Sequence, residues 1–432
     1  MKSLKKLLSV VLAFAMCAGL AACGTQNSSS TSSSPSSASA DSAKQQSRTL
    51  KVWLPPYGTA DTLDQEFWKN QFKTFEAQHN CKVDLQIIAW ADYEAKYLTG
   101  ITSGQGPDVG YMYMEMVGQY LDMGALEPLD SYFTDAEKAN YIYLDKGKVN
   151  GKLYMIPFVV GNPRILVCNM DILKKSGFTA PPKTWNDFIA CGQKIAKDSP
   201  NVYPFLQQWG DPDVSLNAVF YPYLWQTGGD FFSSDGKHLT VNTPQALKAA
   251  QFLHDLRYKY KIMPSIVTSL KATDIDADMQ AGKAAMAVMS TSGAKNLDKS
   301  HINWDFTTSL TDQKSGTFFA ADSLVIVNSS KQKDLAADAV KFMTGKDVMS
   351  AFHKQLAAEP PITKDEPYND SPKFQKMYAN DSAAFHTLPP IKNASSVMDT
   401  LYKNLQLMML NQLTPEQALK QSADYAETAL AK

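Results

Sequence analysis

From Thr49 onward the chain alternates short apolar runs with amphipathic stretches. Thr49 to Leu54 predicts a strand, followed by a Pro55-Pro56-Tyr57-Gly58 loop. A helix is expected from about Thr62, where Thr62 and Gln65 have capping-box spacing. Leu63, Phe67, Phe72 and Phe75 fall near one face of it. Val83, Leu85 and Ile87 alternate inward along a second strand, Lys82 to Ile88, and Asp108 to Tyr113 predicts a third after the Ser103–Pro107 break. Such alternation implies right-handed βαβ crossovers, a mostly parallel sheet, and ligand binding beyond the carboxyl ends of its strands.

A further strand is expected around Leu153–Phe158, and Ile165–Asn169 would start a second sheet. Thr184 with Asp187 opens a helix whose Phe188, Ile189, Ile195 and Ala196 face inward. Another starts near Thr243, with Pro244 at its first position. Gly282–Met289 and Ser323–Val327 read as buried strands, followed by a helix over about Asp334–Thr344. The tail is helical, Ser395 to Asn411 and then a helix capped by Thr414 and Gln417. The pattern is that of an α/β protein with two lobes and helices at its end.

The first 22 residues stand apart. Lys2, Lys5 and Lys6 precede an apolar stretch, Leu7–Ala18, too short to span a membrane and suited to a secretory signal. Leu20-Ala21-Ala22-Cys23-Gly24 has the form of a bacterial lipobox, so Cys23 is expected to become the lipidated first residue. Residues 23–48, rich in Ser, would form a flexible tether. That arrangement implies a body held at the outer face of a bacterial cytoplasmic membrane, and the long tether favours a Gram-positive-like surface over a periplasm. Lys+Arg 42 against Asp+Glu 43 gives a net charge of -1, which argues against nucleic acid as a partner. Loss of the signal would leave the body mildly acidic. Cys81, Cys168 and Cys191 lack zinc spacing. They allow at most one disulfide or remain as buried thiols.

Six short motifs occur in order between about residues 50 and 345: Ser103-Gly104-x-Gly106-Pro107-Asp108-Val109, Gly124-Ala125-Leu126-x-Pro128-Leu129-Asp130, Gly151-Lys152-Leu153-Tyr154-x-Ile156-Pro157, Asn169-Met170-Asp171-x-Leu173, Pro182-x-Thr184-Trp185-x-Asp187-Phe188 and Gly282-Lys283-Ala284-Ala285-Met286. Together with the lipobox they make the chain resemble the extracellular solute-binding proteins of bacterial ABC importers, in the sugar-type family 1 that includes the maltose-binding proteins. The resemblance implies a two-lobed, type II periplasmic-binding-protein-like fold that closes by hinge motion on a ligand in its cleft. Lobe one would take 49–160 and 310–345, and lobe two 161–309 and 346–432. It further implies a monomer without a cofactor, which delivers a carbohydrate, taken to be an oligosaccharide, to the transmembrane subunits of a permease driven by its ATPase.

A sugar presents apolar C–H faces, which aromatic rings cover, and hydroxyls, which carboxylates, amides and Arg satisfy. Loops that place Trp or Tyr beside acids or amides are therefore the ones to mark. Tyr57 follows the first strand, Trp90 and Tyr93 the second, Tyr113 and Glu115 the third. Farther on, Trp209 stands near Asp211 and Trp225 near Asp230, each in a Gly-containing loop, and these two Trp residues are the leading stacking candidates. Asn162 and Arg164 fall at the expected hinge, Ser290 and Thr291 end a strand, and Asp322 and Glu359 complete the candidates. Trp53 and Trp185 lie inside elements and are expected in the core.

Two other functions compete. A secreted glycosidase would need paired carboxylates, for which Asp230 and Glu359 are conceivable. The chain carries no G-x-S-x-G, H-E-x-x-H, Walker loop or G-x-G-x-x-G, and it is not expected to be an enzyme. An iron or polyamine binder could share the architecture. Tyr111–Met116 can be read as a metal-binding strand, although alternating Met and Tyr also fit a strand end packed between helices. Single acids beside aromatics favour a neutral polyol, so no metal is expected.

Overall fold

A computed structural model describes residues 48–58, 61–211, 215–233, 236–357, 359–368 and 370–431. The expected signal, lipidation at Cys23 and tether lie outside them. The chain runs through β1 (Arg48–Leu54), β2 (Cys81–Ile87) and β3 (Val109–Met112), then crosses to the second lobe through β4 (Ile156–Gly161) and β5 (Arg164–Asn169). There it forms β6 (Tyr203–Leu206), β7 (Ala284–Ser290) and β8 (Trp304–Thr307) before returning along β9 (Ala320–Ile326). The first sheet has the order β2-β1-β3-β9-β4 and the second β8-β5-β7-β6.

Neither sheet is mostly parallel. β1 pairs in parallel with β2 and β3, and β6 with β7, as βαβ crossovers require. β9 runs antiparallel to both β3 and β4, and β5 antiparallel to β7 and β8. The reason is the crossing between lobes. A strand that returns from the other lobe enters its sheet from the opposite end.

Two cores result. One is built from residues between Leu50 and Val160 and between Phe319 and Ile362. The other gathers residues from Ile165 to Leu310, Phe318, and Phe374 to Ala429. The helix Lys346–Gln355 buries Val348, Met349 and Phe352 in the first core. This stretch was expected in lobe two. Phe352 stands 5.5 Å from Tyr57 and 5.3 Å from Phe158, so aromatic packing ties the helix to the first sheet. The tail helices Ala394–Met409 and Pro415–Leu430 pack on the second core. Trp53 and Trp185 are buried as expected, and Cys81, Cys168 and Cys191 are buried free thiols. Among the described residues no helix is long and apolar enough to cross a membrane.

Capping boxes form at Thr184–Asp187 and Thr414–Gln417, where the sequence predicts them. The helix Asp61–His79 departs from expectation. Leu63 is exposed, and the fully buried residue of that turn is Asp64. Its carboxylate accepts the Tyr57 and Gly58 backbone N–H groups, both at 2.8 Å. Buried amides need partners, so an acid replaces an apolar residue there and fixes the loop carrying Tyr57. Asp64→Ala should cost about 1–3 kcal/mol of stability in urea unfolding, with Asp64→Asn costing less. An unchanged midpoint for both would show that this carboxylate does not hold the loop.

Candidate functional site

The carboxyl ends of β1, β2 and β3 open toward the second lobe, and the start of β9 joins them because it runs antiparallel to β3. Four aromatic rings meet there. Trp90 has ring centroids of Tyr57, Tyr111 and Tyr113 at 6.1, 5.9 and 6.3 Å. Its indole N–H donates to the Pro56 carbonyl at 3.2 Å, yet the residue keeps 40% of its surface exposed. A large apolar ring held in place and left open is a platform for a partner face. The Tyr111 hydroxyl donates to Asp322 Oδ2 at 2.6 Å, and the Tyr113 hydroxyl donates to Glu94.

Across the cleft, Arg164 begins β5 and lies opposite Ser290 in β7. Its Nε donates to Asn217 Oδ1 at 2.9 Å and Nη1 to the Asn162 carbonyl at 3.1 Å, with the guanidinium 5.8 Å from the Phe318 ring. Asn162 has a φ of 46°, a left-handed conformation that Asn tolerates better than most residues. This turn lets its N–H donate to Glu359 Oε2 at 2.7 Å and its Oδ1 accept from Thr291 Oγ1 at 3.2 Å. The other Glu359 oxygen accepts from Ser292 Oγ at 2.8 Å. Gly161 is required beside them, since a Cβ would lie 2.6 Å from Pro360 Cδ.

The electrostatics are those of a desolvated acidic cleft. Burial pushes the Asp322 carboxyl up to about 8, the Tyr111 hydrogen bond opposing and Glu115 adding to the shift. Burial raises Glu115 to about 7, with Glu94 contributing. Asp276 rises to about 6 through burial, opposed by Arg164. Glu359 is raised by burial, offset by Lys295 and its hydrogen bonds. Burial lowers Arg164 to about 10 even though Glu359, Asp322 and Asp276 favour its charge.

Several expected residues are placed otherwise. Trp209, a leading candidate, is fully buried in the second core, its indole N–H donating to Gln207 Oε1 at 3.2 Å. Tyr93 is buried beneath Trp90 and donates to the Tyr111 carbonyl at 3.0 Å. Asp211 accepts the Ala272 N–H at 2.8 Å, at the start of the helix Ala272–Gln280. Ser290 is engaged likewise, accepting the Gly293 N–H at 3.0 Å as a helix cap. Trp225 is buried, with one face stacked on His386 at 5.0 Å. Asp230, which is exposed, accepts the Trp225 indole N–H at 3.2 Å.

Tyr111, Asn217, Tyr221 and Asp276 belong to the cleft and were not anticipated. Tyr221 packs on Phe231 at 4.5 Å and Trp225 at 5.6 Å, within electrostatic reach of Glu115 from the other lobe. Tyr111 was signalled by lying two residues before Tyr113 on a strand that ends at the cleft. The others had no signal, because only the fold brings them to Arg164. Tyr111–Met116 is not a single strand: β3 ends at Met112 and Tyr113 stands at the start of the helix Met114–Asp122. Among the described residues no group of three or more His, Cys, Asp or Glu is arranged to hold a metal ion.

Two α/β lobes linked by crossing strands, with a polar and aromatic cleft between them, make up the type II periplasmic-binding-protein fold. Residues 59–350 match the family model of the bacterial extracellular solute-binding proteins, and the chain belongs to that family. It is 24% identical over 453 aligned residues to the galactooligosaccharide-binding protein of Bacillus subtilis (strain 168), covering 99% of this chain and 98% of that one. It shares its fold, with a TM-score of 0.76 and 23% identity, with an ABC transporter solute-binding protein from Thermotoga lettingae bound with alpha-D-tagatose, over 89% of this chain and 100% of that one. An ABC substrate-binding protein from Listeria monocytogenes in complex with cycloalternan also gives 0.76, at 22% identity over 89% of this chain and 99% of that one.

A carboxyl whose pKa is raised on folding keeps its proton in the folded state to higher pH than in the unfolded chain. Stability from Asp322 is therefore greatest in acid and falls as pH rises from about 4 toward about 8. Asp322→Asn should flatten the decline in unfolding free energy between pH 5 and 8. A slope unchanged from the parent would contradict a raised pKa for this half-buried group.

Proposed function

We propose that this chain is the substrate-capturing component of an ABC importer, taking a carbohydrate, an oligosaccharide in the first instance, into the cleft between its lobes. It binds without catalysis and passes the ligand to the transmembrane subunits of a permease driven by its ATPase. We further propose that it acts as a monomer, exported by residues 1–22 and anchored through lipid on Cys23 at the outer face of the membrane. The observation that carries the carbohydrate reading is the open Trp90 ring packed against Tyr113 and against Tyr111, whose hydroxyl donates to Asp322. A pyranose needs such a surface: one flat apolar contact, and hydrogen-bonding groups around its edge whose absence would cost about 1–3 kcal/mol per unpaired hydroxyl. The sugar-binding relatives support the same reading.

Tyr57, Tyr113 and Trp90 would cover ring faces. Glu115, Asp322, Asn162, Arg164, Thr291 and Glu359 would serve hydroxyls or hold the groups that do. On the second lobe the stacking role passes from Trp209 to Tyr221 and Trp225, both buried here against Phe231, with Asp230 accepting the Trp225 indole N–H. A thermal-shift screen with neutral oligosaccharides should raise the melting temperature for at least one. Trp90→Ala should weaken that ligand by about 1–3 kcal/mol while leaving the ligand-free melting temperature near the parent value. Trp209→Ala should instead cost about 3–5 kcal/mol of stability, measured by chemical unfolding. Stabilisation by polyamines with a flat response to every glycan would sink the carbohydrate reading.

A further inference from the structure

One set of contacts joins the lobes away from the crossing strands. The helix Ala394–Met409 is packed on the second core, yet Ser395 in its first turn reaches the first lobe, its hydroxyl lying 2.9 and 2.8 Å from the two oxygens of Glu94. The same Glu94 carboxylate accepts the hydroxyl of Tyr113. One turn away, Lys392 Nζ lies 2.7 Å from Asp122 Oδ2. Between these polar contacts the two backbones touch. A Cβ on Gly118, in the first-lobe helix Met114–Asp122, would fall 2.2 Å from the carbonyl carbon of Ile391 and 2.3 Å from its oxygen. The Ile391 side chain turns the other way, 3.4 Å from where a Cβ on Gly236 of the second lobe would stand.

We propose that residues 391–395 form a clasp across the cleft, closing on Gly118 and Glu94, and that this clasp sets how much of the protein is closed before any ligand arrives. Only the absence of a side chain at Gly118 allows the backbones to meet, so the fit is specific to the closed arrangement. Glu94 joins the clasp to the aromatic platform, because Tyr113 and Ser395 share one carboxylate. Opening the lobes frees Ser395 from Glu94, while Tyr113, in the same lobe as Glu94, keeps its hydrogen bond to that carboxylate. The ion pair of Lys392 with Asp122 is exposed and adds little by itself. The hydrogen bonds and the backbone contact carry the effect. A ligand that binds the closed state is favoured by the pre-existing closed fraction, so Gly118, Glu94 and Ser395 act as positioning residues for affinity without touching the ligand.

The inference does not depend on the ligand's chemistry, and its test uses none. Spin labels on Lys69→Cys and Glu416→Cys, exposed on the outer helices of the two lobes, report lobe separation by pulsed dipolar spectroscopy in the ligand-free full chain. The parent should show a dominant short-distance population. Gly118→Ala should lower the ratio of short to long distances roughly tenfold, a typical coupling between two states. The surface pair Glu94→Gln with Ser395→Ala, which leaves both cores untouched, should shift it in the same direction. Circular dichroism of each variant matching the parent excludes unfolding as the cause. Distance distributions identical to the parent in both variants would overturn the clasp.

Discussion

The cleft is organised around one half-buried positive charge. Arg164 opens the first strand of the second lobe at the point where the chain leaves the first, and Glu359, Asp322 and Asp276 lie within electrostatic reach of it. A guanidinium withdrawn from water is costly unless its donors and charge are answered. Asn217 and the Asn162 carbonyl answer its donors, and Glu359 is the acid that most favours its charge against the cost of burial. The crossing strands, the left-handed turn at Asn162 and the approach of Pro360 to Gly161 are arranged around that need.

Withdrawal from water, which raises the neighbouring carboxyls, for Asp322 against the pull of Arg164, makes the cleft usable. Carboxyls near neutrality can donate as well as accept hydrogen bonds, which suits hydroxyl groups that do both. Asp322 and Glu115 are of this kind, and Trp90 supplies the flat surface beside them. Tyr111 links the two functions, since its ring packs on Trp90 and its hydroxyl donates to Asp322. Chemistry and packing thus meet on the last turn of one strand.

Much of the fold was legible in the sequence because it rests on local signals. Thr184 with Asp187 and Thr414 with Gln417 define helix starts by side-chain chemistry alone, and the apolar runs of β5 and β7 can only be buried strands. Sheet direction was not legible, because β9 enters its sheet from the other lobe and no local pattern records that. The lining of the cleft was legible where a loop follows a strand, as at Tyr57, Trp90 and Tyr113. It failed at Trp209 and Asp211, where a loop beside Gly suggested exposure. That loop folds inward, its Trp filling the core and its Asp engaged at a helix start. Tyr221 and Asn217 lie on short helices whose approach to Arg164 is purely tertiary.

In the proposed complex a sugar lies in this cleft with one face on Trp90 and its hydroxyls served by both lobes. A crystal structure with the glycan that stabilises the protein most tests it directly. The expected result is a sugar ring stacked on Trp90, with hydroxyls bonded to Asp322 or Glu115 on one side and Arg164 on the other. A glycan bound elsewhere, or held in the cleft with Trp90 bare, would contradict it.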